Sequence, residues 1–356
     1  MDSTEELFKE LTEASGIPGY EREIRALIRR HLEPVAQIEH DKLGSIIGAK
    51  RGTSDSPRVM LAGHMDEVGF MVSLITDDGF LRFVPLGGWW DQVMLAQRVT
   101  IKTSSGDVLG LLGAKPPHLL GAEEAKKLVE KKDMYIDIGA TSADEVRACG
   151  VRPGDPIIPV CPFSALSTGK TYMAKAWDDR VGCALFIQAL ERLVTLEHPN
   201  TVYGVGTVQE EVGVRGARTS VHSVNPDVAI ILEVDIAGDV PGIKPEESAI
   251  ELGKGPSLLL YDARMIPNLR LRDLVISIAD ENRIPLQFST MRGGATDGSV
   301  IHIHHEGVPS VVISVPTRHI HSHASILHRE DYDRALDLVV KLIMRLDGST
   351  VNGLTD

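Results

Sequence analysis

The chain has 356 residues, of which 43% are hydrophobic and 24% charged, with a formal net charge of −13 at pH 7. That length points to two domains, the composition excludes a mostly disordered chain, and the acidic balance argues against nucleic acid as a partner. No run approaches the ~20 uninterrupted apolar residues of a membrane helix, and the acidic start MDSTEELFKE is not a secretory signal, so the expectation is a cytoplasmic protein with no membrane partner.

In chain order, residues 3–14 open with Ser3 and Glu6 in capping-box spacing and place Leu7 and Leu11 on one face, which predicts an amphipathic helix. A second helix fits 20–32. The apolar run from Arg58 to Ala62 predicts a buried strand that ends at Gly63 and His64. Between about 70 and 165 the texture changes to short strand-like runs broken by Gly, Pro and Asp, which predicts a separate β-rich domain. From Thr171 onward strands and helices alternate: TYMAKAW then a helix from about 179, TVYGVGTV then a helix near 215, and DVAIILEV. A helix from about 268, the strand VPSVVISV and a final helix from about 329 follow, and the tail after Asp347 reads as frayed. The fold expected is α/β, a mostly parallel sheet covered by helices on both faces, formed by residues 1–69 and 166–356 and interrupted by an insertion at 70–165.

Ligand sites in open α/β sheets collect beyond the carboxyl ends of the strands. Here the residues at those ends agree: His64 and Asp66, Asp178 and Asp179, Glu210 and Glu211, Glu233 and Asp235, and then His319, His321 and His323. Each alone has a plain explanation. Asp178-Asp179-Arg180 suits a helix N-cap, Glu210-Glu211 a solvated turn, and the three alternating histidines an exposed strand edge. Their common position at strand ends is what favours a metal centre. Cys149, Cys161 and Cys183 have no paired spacing, so the ligands must be histidines and carboxylates.

Such a set suits zinc, cobalt or manganese, and two ions roughly 3.5 Å apart need one bridging carboxylate. His64 with Glu233 would hold one ion, His321 with Glu211 the other, and Asp178 would bridge them. Glu210 is left free to move a proton, and Asp66 is placed to reach back to the second imidazole nitrogen of His64 and fix its tautomer.

The strings LAGHMDEVGF, GGWWDQVMLAQRV, GLLGAKPPHLL, YIDIGA, KAWDDRVGC, VQEEVGVRGA, EVDIAGDVPG, GGATDG and PTRHIHS closely resemble the TET-type dinuclear metallo-aminopeptidases. That family includes glutamyl and deblocking aminopeptidases, and some members carry endoglucanase or cellulase-like names. The resemblance runs from about residue 5 to 345. It implies a zinc-exopeptidase-like three-layer sandwich with an inserted β-barrel-like dimerisation domain. It also implies metal ligands at His64, Asp178, Glu211, Glu233 and His321, a general base at Glu210, and two divalent ions, zinc or cobalt with manganese possible.

The implied substrates are short peptides with a free N-terminus. The implied assembly is a homo-oligomer, at least a dimer and commonly a dodecamer. Many relatives have Asp where this chain has Glu233, which leaves Asp235 as an alternative ligand, and His319 stands where relatives often have Tyr. A metal-dependent amidohydrolase or deacylase, and a non-catalytic binding protein on the same fold, are the alternatives; a glycosidase is disfavoured because its two carboxylates must flank the scissile bond rather than sit with histidines. Arg264 and Arg292 are candidates for the first side-chain pocket, and Trp89 and Trp90 read as structural.

Overall fold

The computed structural model describes residues 1–355. Its large mixed sheet runs, in spatial order, Gln37–His40, Ile46–Arg51, Thr201–Thr207, Arg58–His64, Val228–Ile236, Ser310–Arg318, Ser325–His328, Thr171–Ala174 and Ser164–Ala165. The central four, from Thr201–Thr207 to Ser310–Arg318, are mutually parallel. Their almost unbroken burial follows from coverage on both faces, which only long Val, Ile, Leu and Ala runs satisfy. Helices Ser3–Glu13, Arg22–Leu32, Trp177–Arg192, Leu269–Glu281 and Arg329–Arg345 pack on one face. Arg215–Val224 and the short Gly298–Ile301 pack on the other, and each face has its own apolar core. This is the three-layer α/β sandwich expected. No helix among the described residues is long and apolar enough to cross a membrane.

Six strands close into a separate barrel, in spatial order Gly69–Ile75, Leu81–Leu86, Tyr135–Asp137, Gly106–Gly113, Arg98–Thr103 and Pro156–Pro159. Inside it Trp89 stacks on Phe70 with ring centroids 4.6 Å apart and donates its indole N–H to the Gly69 carbonyl at 3.1 Å. A buried tryptophan needs such a partner for its one polar atom. Trp90, by contrast, is 64% exposed.

Three local expectations are corrected. The capping box uses Asp2 and Glu5 rather than Ser3 and Glu6: the Asp2 carboxylate accepts from Glu5 N, and the Glu5 carboxylate accepts from Asp2 N, each at 2.9 Å. The tail after Asp347 is not frayed, because Asp347 caps a helix Gly348–Asn352 and Val351 and Leu354 are buried. The sequence reading also assigned no strand to Gln37–His40, Ile46–Arg51, Ser257–Tyr261, Gln287–Thr290 or Ser325–His328; of these, Ser257–Tyr261 and Gln287–Thr290 form a parallel pair attached to Ser310–Arg318.

A buried ionic knot holds the first helix against the sheet just behind the strand ends. Glu67 Oε1 accepts from Lys175 Nζ at 2.6 Å and lies 3.4 Å from Arg180, whose guanidinium also donates to the carbonyls of Leu11, Ala14 and Gly16. A buried cation with several acceptors is tolerable where an unpaired one is not, so this knot fixes the segment 64–67 relative to the Trp177–Arg192 helix.

Candidate metal centre

Parallel strands point their carboxyl ends the same way, so the residues that follow them meet along one edge of the sheet. His64 ends its strand and is buried. Its Nε2 lies 3.0 Å from Asp178 Oδ1 and 3.9 Å from Glu233 Oε1. From the far side, His321 Nε2 lies 3.4 Å from Asp178 Oδ2 and 3.7 Å from Glu211 Oε2. Asp178 therefore presents one oxygen to each histidine. All five residues implied as ligands are brought together, with Glu210 lining the same cleft of about 890 Å³.

The alternatives separate cleanly. Asp235 also borders the cleft, but its carboxylate accepts from Ser257 Oγ at 2.6 Å, and it is Glu233 whose Oε1 lies 3.9 Å from His64 Nε2. Asp179 lies near His64 and Glu233, but its oxygens already accept from His64 N and Gly182 N, both at 3.0 Å. The helix-capping explanation thus holds for Asp179 and fails for Asp178. His319 is exposed just past the strand Ser310–Arg318. His323 is buried against Trp89 with ring centroids 4.9 Å apart, and burial pulls it down to about 4, so it is a neutral core residue. The three histidines are not a strand edge: the chain turns through left-handed conformations at His319 and His321, which separates their directions.

Backbone acceptors orient both imidazoles. His64 Nδ1 donates to the Asp66 main-chain carbonyl at 2.9 Å, and His321 Nδ1 donates to the Gly88 carbonyl at 2.7 Å. A carbonyl only accepts, so each ring turns Nε2 to the carboxylates. This corrects the expected role of Asp66, whose carboxylate instead accepts from Glu210 N at 3.0 Å and Glu211 N at 3.1 Å. Glu21 accepts from Gln209 N at 3.1 Å, so two buried carboxylates clamp three successive amides and aim Glu210 and Glu211 differently.

Three contributors were missed. Glu21 is the N-cap residue of the helix Arg22–Leu32, with no chemical signature to mark it. Gly88 acts through its carbonyl and through the lack of a side chain, since a Cβ there would stand 2.9 Å from His321 Nδ1. Asp297, within the string GGATDG, accepts from Thr207 Oγ1 at 2.5 Å and lies close enough to raise Glu210. That string was the available signal.

The electrostatics follow from burying several carboxylates beside two imidazoles. Burial would raise Asp178, but hydrogen bonds from His321 and His64 hold it well below the usual carboxylate range. Burial raises Glu211 to about 8, with Asp178 adding to the rise, and lifts Glu233 and Glu210 well above the ordinary value. Burial disfavours charge on the two imidazoles, yet the surrounding carboxylates raise His321 to about 10 and His64 well above its ordinary value. Carboxylates outnumber cations here, and no lysine or arginine hydrogen-bonds them among the described residues. Glu211 Oε1 is buried without a partner. The donor set itself, imidazole nitrogens and buried carboxylate oxygens turned toward one another, suits divalent cations.

Comparison with known proteins follows the same direction. A family model described as M42 glutamyl aminopeptidase matches residues 44–338, and one described as AMPT matches residues 2–27. A solved TET aminopeptidase from a marine sediment Thaumarchaeota archaeon is 53% identical with a TM-score of 0.98, covering 99% of each chain. The Pyrococcus horikoshii TET1 peptidase, described as assembling into a tetrahedron or a large octahedral shell, is 33% identical with a TM-score of 0.87, covering 97% of this chain and 100% of its own. The lysyl aminopeptidase of Pyrococcus furiosus is 36% identical over 96% of this chain and 97% of its own.

Proposed function

The chain belongs to the M42 glutamyl aminopeptidase family, a family of metal-dependent aminopeptidases, and from that premise we propose that it removes the N-terminal residue of short peptides at a centre of two divalent ions. The observation that carries this reading is Asp178, with one carboxylate oxygen toward His64 and the other toward His321. Zinc or cobalt, with manganese also suited to the carboxylate share, would be held by His64 and Glu233 on one side, His321 and Glu211 on the other, and Asp178 between. When bound, the ions supply Lewis-acid polarisation of the scissile carbonyl and of water.

The remaining steps belong to the chain. Glu210 shares no close ligand group with the histidines and has a raised affinity for a proton, so it accepts one from the attacking water and returns it to the leaving amine. The Asp66 carboxylate positions Glu210 rather than touching substrate. The cleft's carboxylates favour a protonated α-amine, and an acetyl cap removes that charge. Arg264 and Arg292 line the cleft, but so do Glu246 and Glu247, and glutamyl and lysyl names both occur among the relatives.

The test is a panel of aminoacyl anilides and peptides with free or acetylated N-termini, each with and without chelator. Free N-termini should be cleaved, acetylated ones spared, and chelator should abolish turnover. Equal rates on acetylated and free peptides defeat the exopeptidase reading and favour a deacylase or amidohydrolase.

Gly88→Ala should weaken binding of the ion beside His321 by about 10–100-fold, the usual cost of disturbing the group that orients a ligating histidine. Its Cβ would crowd Nδ1 at 2.9 Å. Metal titration of the purified variant checks this, and wild-type affinity at both sites would mean that the Gly88 contact does not orient a ligand.

The barrel's outer wall supports a role in assembly. On the strand Gly106–Gly113, Leu112 points inward while Leu109 and Leu111 face out at 62% and 45% exposure, and Trp90 of the same insertion is also exposed. Exposed apolar side chains of this size mark contact surfaces. The proposed unit is a dimer through the barrel, closing into a dodecamer like the tetrahedral relative. Light scattering should give a mass well above the 38.7 kDa chain, and Leu109→Glu with Leu111→Glu should lower it. A fully active wild-type monomer overturns this role for the insertion.

A further inference from the structure

A second group of imidazoles lies at the opposite edge of the sheet. His222 sits in the last turn of the helix Arg215–Val224, and His304 and His305 lie in the connection between the helix Gly298–Ile301 and the strand Ser310–Arg318. Each offers one ring nitrogen, and these atoms all lie within 4.8 Å of one another. The ring centroids of His304 and His305 are 4.0 Å apart, and each stands 5.4 Å from that of His222. The nine-residue strand that follows spans about 30 Å before the chain reaches His321, so this group is separate from the carboxylate-rich centre.

The arrangement is built rather than incidental. Main-chain bonds from His304 N to the Ile301 carbonyl at 3.1 Å and from Gly307 N to the His304 carbonyl at 2.8 Å fix the turn. His305 takes a left-handed conformation, with φ +50, beside His304. Among the described residues His304 Nε2 is buried with no hydrogen-bonding partner, an unusual state for an imidazole nitrogen. Burial, then His305 and His222, lower the proton affinity of His304, which leaves its nitrogen free to bind something other than a proton. Glu306 and Asp227 line the adjoining depression of about 1110 Å³ and make its surroundings favourable to a cation.

We propose that His222, His304 and His305 form a second metal site, which takes one late first-row divalent cation, zinc, nickel or copper, and clips the end of the helix Arg215–Val224 to the lead-in of the strand Ser310–Arg318. Three imidazoles without a carboxylate ligand select borderline cations, whereas manganese prefers oxygen donors. This site therefore discriminates between metals that a carboxylate-rich centre accepts together.

The experiment is a difference measurement on the full chain. Wild type, the His222→Ala/His305→Ala double variant and His302→Ala are equilibrated with a several-fold excess of zinc, freed of unbound metal and analysed for zinc per chain. The double variant should carry one ion fewer than wild type. His302, which is bonded to the Gly298 carbonyl and lies outside the cluster, serves as control, and its variant should match wild type. With manganese, all three should carry equal amounts. Equal zinc counts in wild type and the double variant overturn the proposal, as does an equal loss in His302→Ala. His222 and His305 are both exposed, so single Asn variants at each keep the test available if the double variant folds poorly. Absolute counts report on the carboxylate-rich centre and the difference reports on this site, so the two readings fail separately.

Discussion

Glu210→Gln is expected to lower kcat by about 10²-fold or more while the metal content stays at the wild-type value. The substitution keeps the shape of the side chain and removes only its ability to take a proton. Nothing else depends on that carboxylate being charged. The clamp that aims the 209–211 turn is made by main-chain amides on Asp66 and Glu21, and the variant leaves those amides in place. Metal analysis beside steady-state kinetics separates the outcomes. Loss of an ion would show that Glu210 is a ligand, and unchanged kcat would remove it from the reaction.

Asp178→Asn should be more damaging and in a different way. One carboxylate faces both histidines, so replacing one oxygen with an N–H₂ group turns two acceptor oxygens into one acceptor and one donor whose partial positive charge would face a cation. Both ions should be lost or weakened together, and turnover should fall on the order of 10²–10³-fold or beyond, the scale seen when one charge-stabilising group is removed from a reaction centre. Glu211→Gln is the informative contrast, because its carboxylate lies 3.7 Å from His321 Nε2 but, unlike Asp178, does not present one oxygen to each histidine, and its loss should empty one site first. If Asp178→Asn lost a single ion while the other bound normally, the bridging assignment would be wrong. Metal counts on the two variants decide the matter without any rate measurement.

The parts of this centre that were legible are those whose chemistry sits in side chains at strand ends. His64, Asp178, Glu211, Glu233 and His321 each follow an apolar run, and parallel strands leave them one edge on which to meet. Illegible were the contacts made by the main chain. Nothing about Gly88 announces that its carbonyl will orient a histidine 233 positions later, and Asp66 looks like an imidazole partner until its carboxylate is found on two amides instead. Spacing cannot distinguish those two uses of one aspartate.

The capping box slipped by one residue because DSTEE contains two overlapping donor–acceptor pairs of the same spacing, and only the backbone turn at Asp2 decides between them. Ser257–Tyr261 and Gln287–Thr290 are too short for periodicity to register. The helix after Asp347 depends on packing of Val351 and Leu354, which a polar GSTVNG string conceals.

The Gly88 carbonyl has a consequence for how this architecture can change over time. The barrel grows out of the sheet between Gly69 and Pro159, and insertions of that kind are usually free to lengthen, shorten or be exchanged between genes. Here one peptide unit at the barrel's base holds a histidine of the other domain at 2.7 Å. A length change between Leu86 and Asp91 is felt where the chemistry occurs, whereas the same change at the barrel's far turns is not. A gene that lost the insertion altogether would encode a sheet with a misdirected imidazole. The base of the barrel and the segment that carries His321 are therefore expected to tolerate change only together, a constraint that the barrel's far turns do not share.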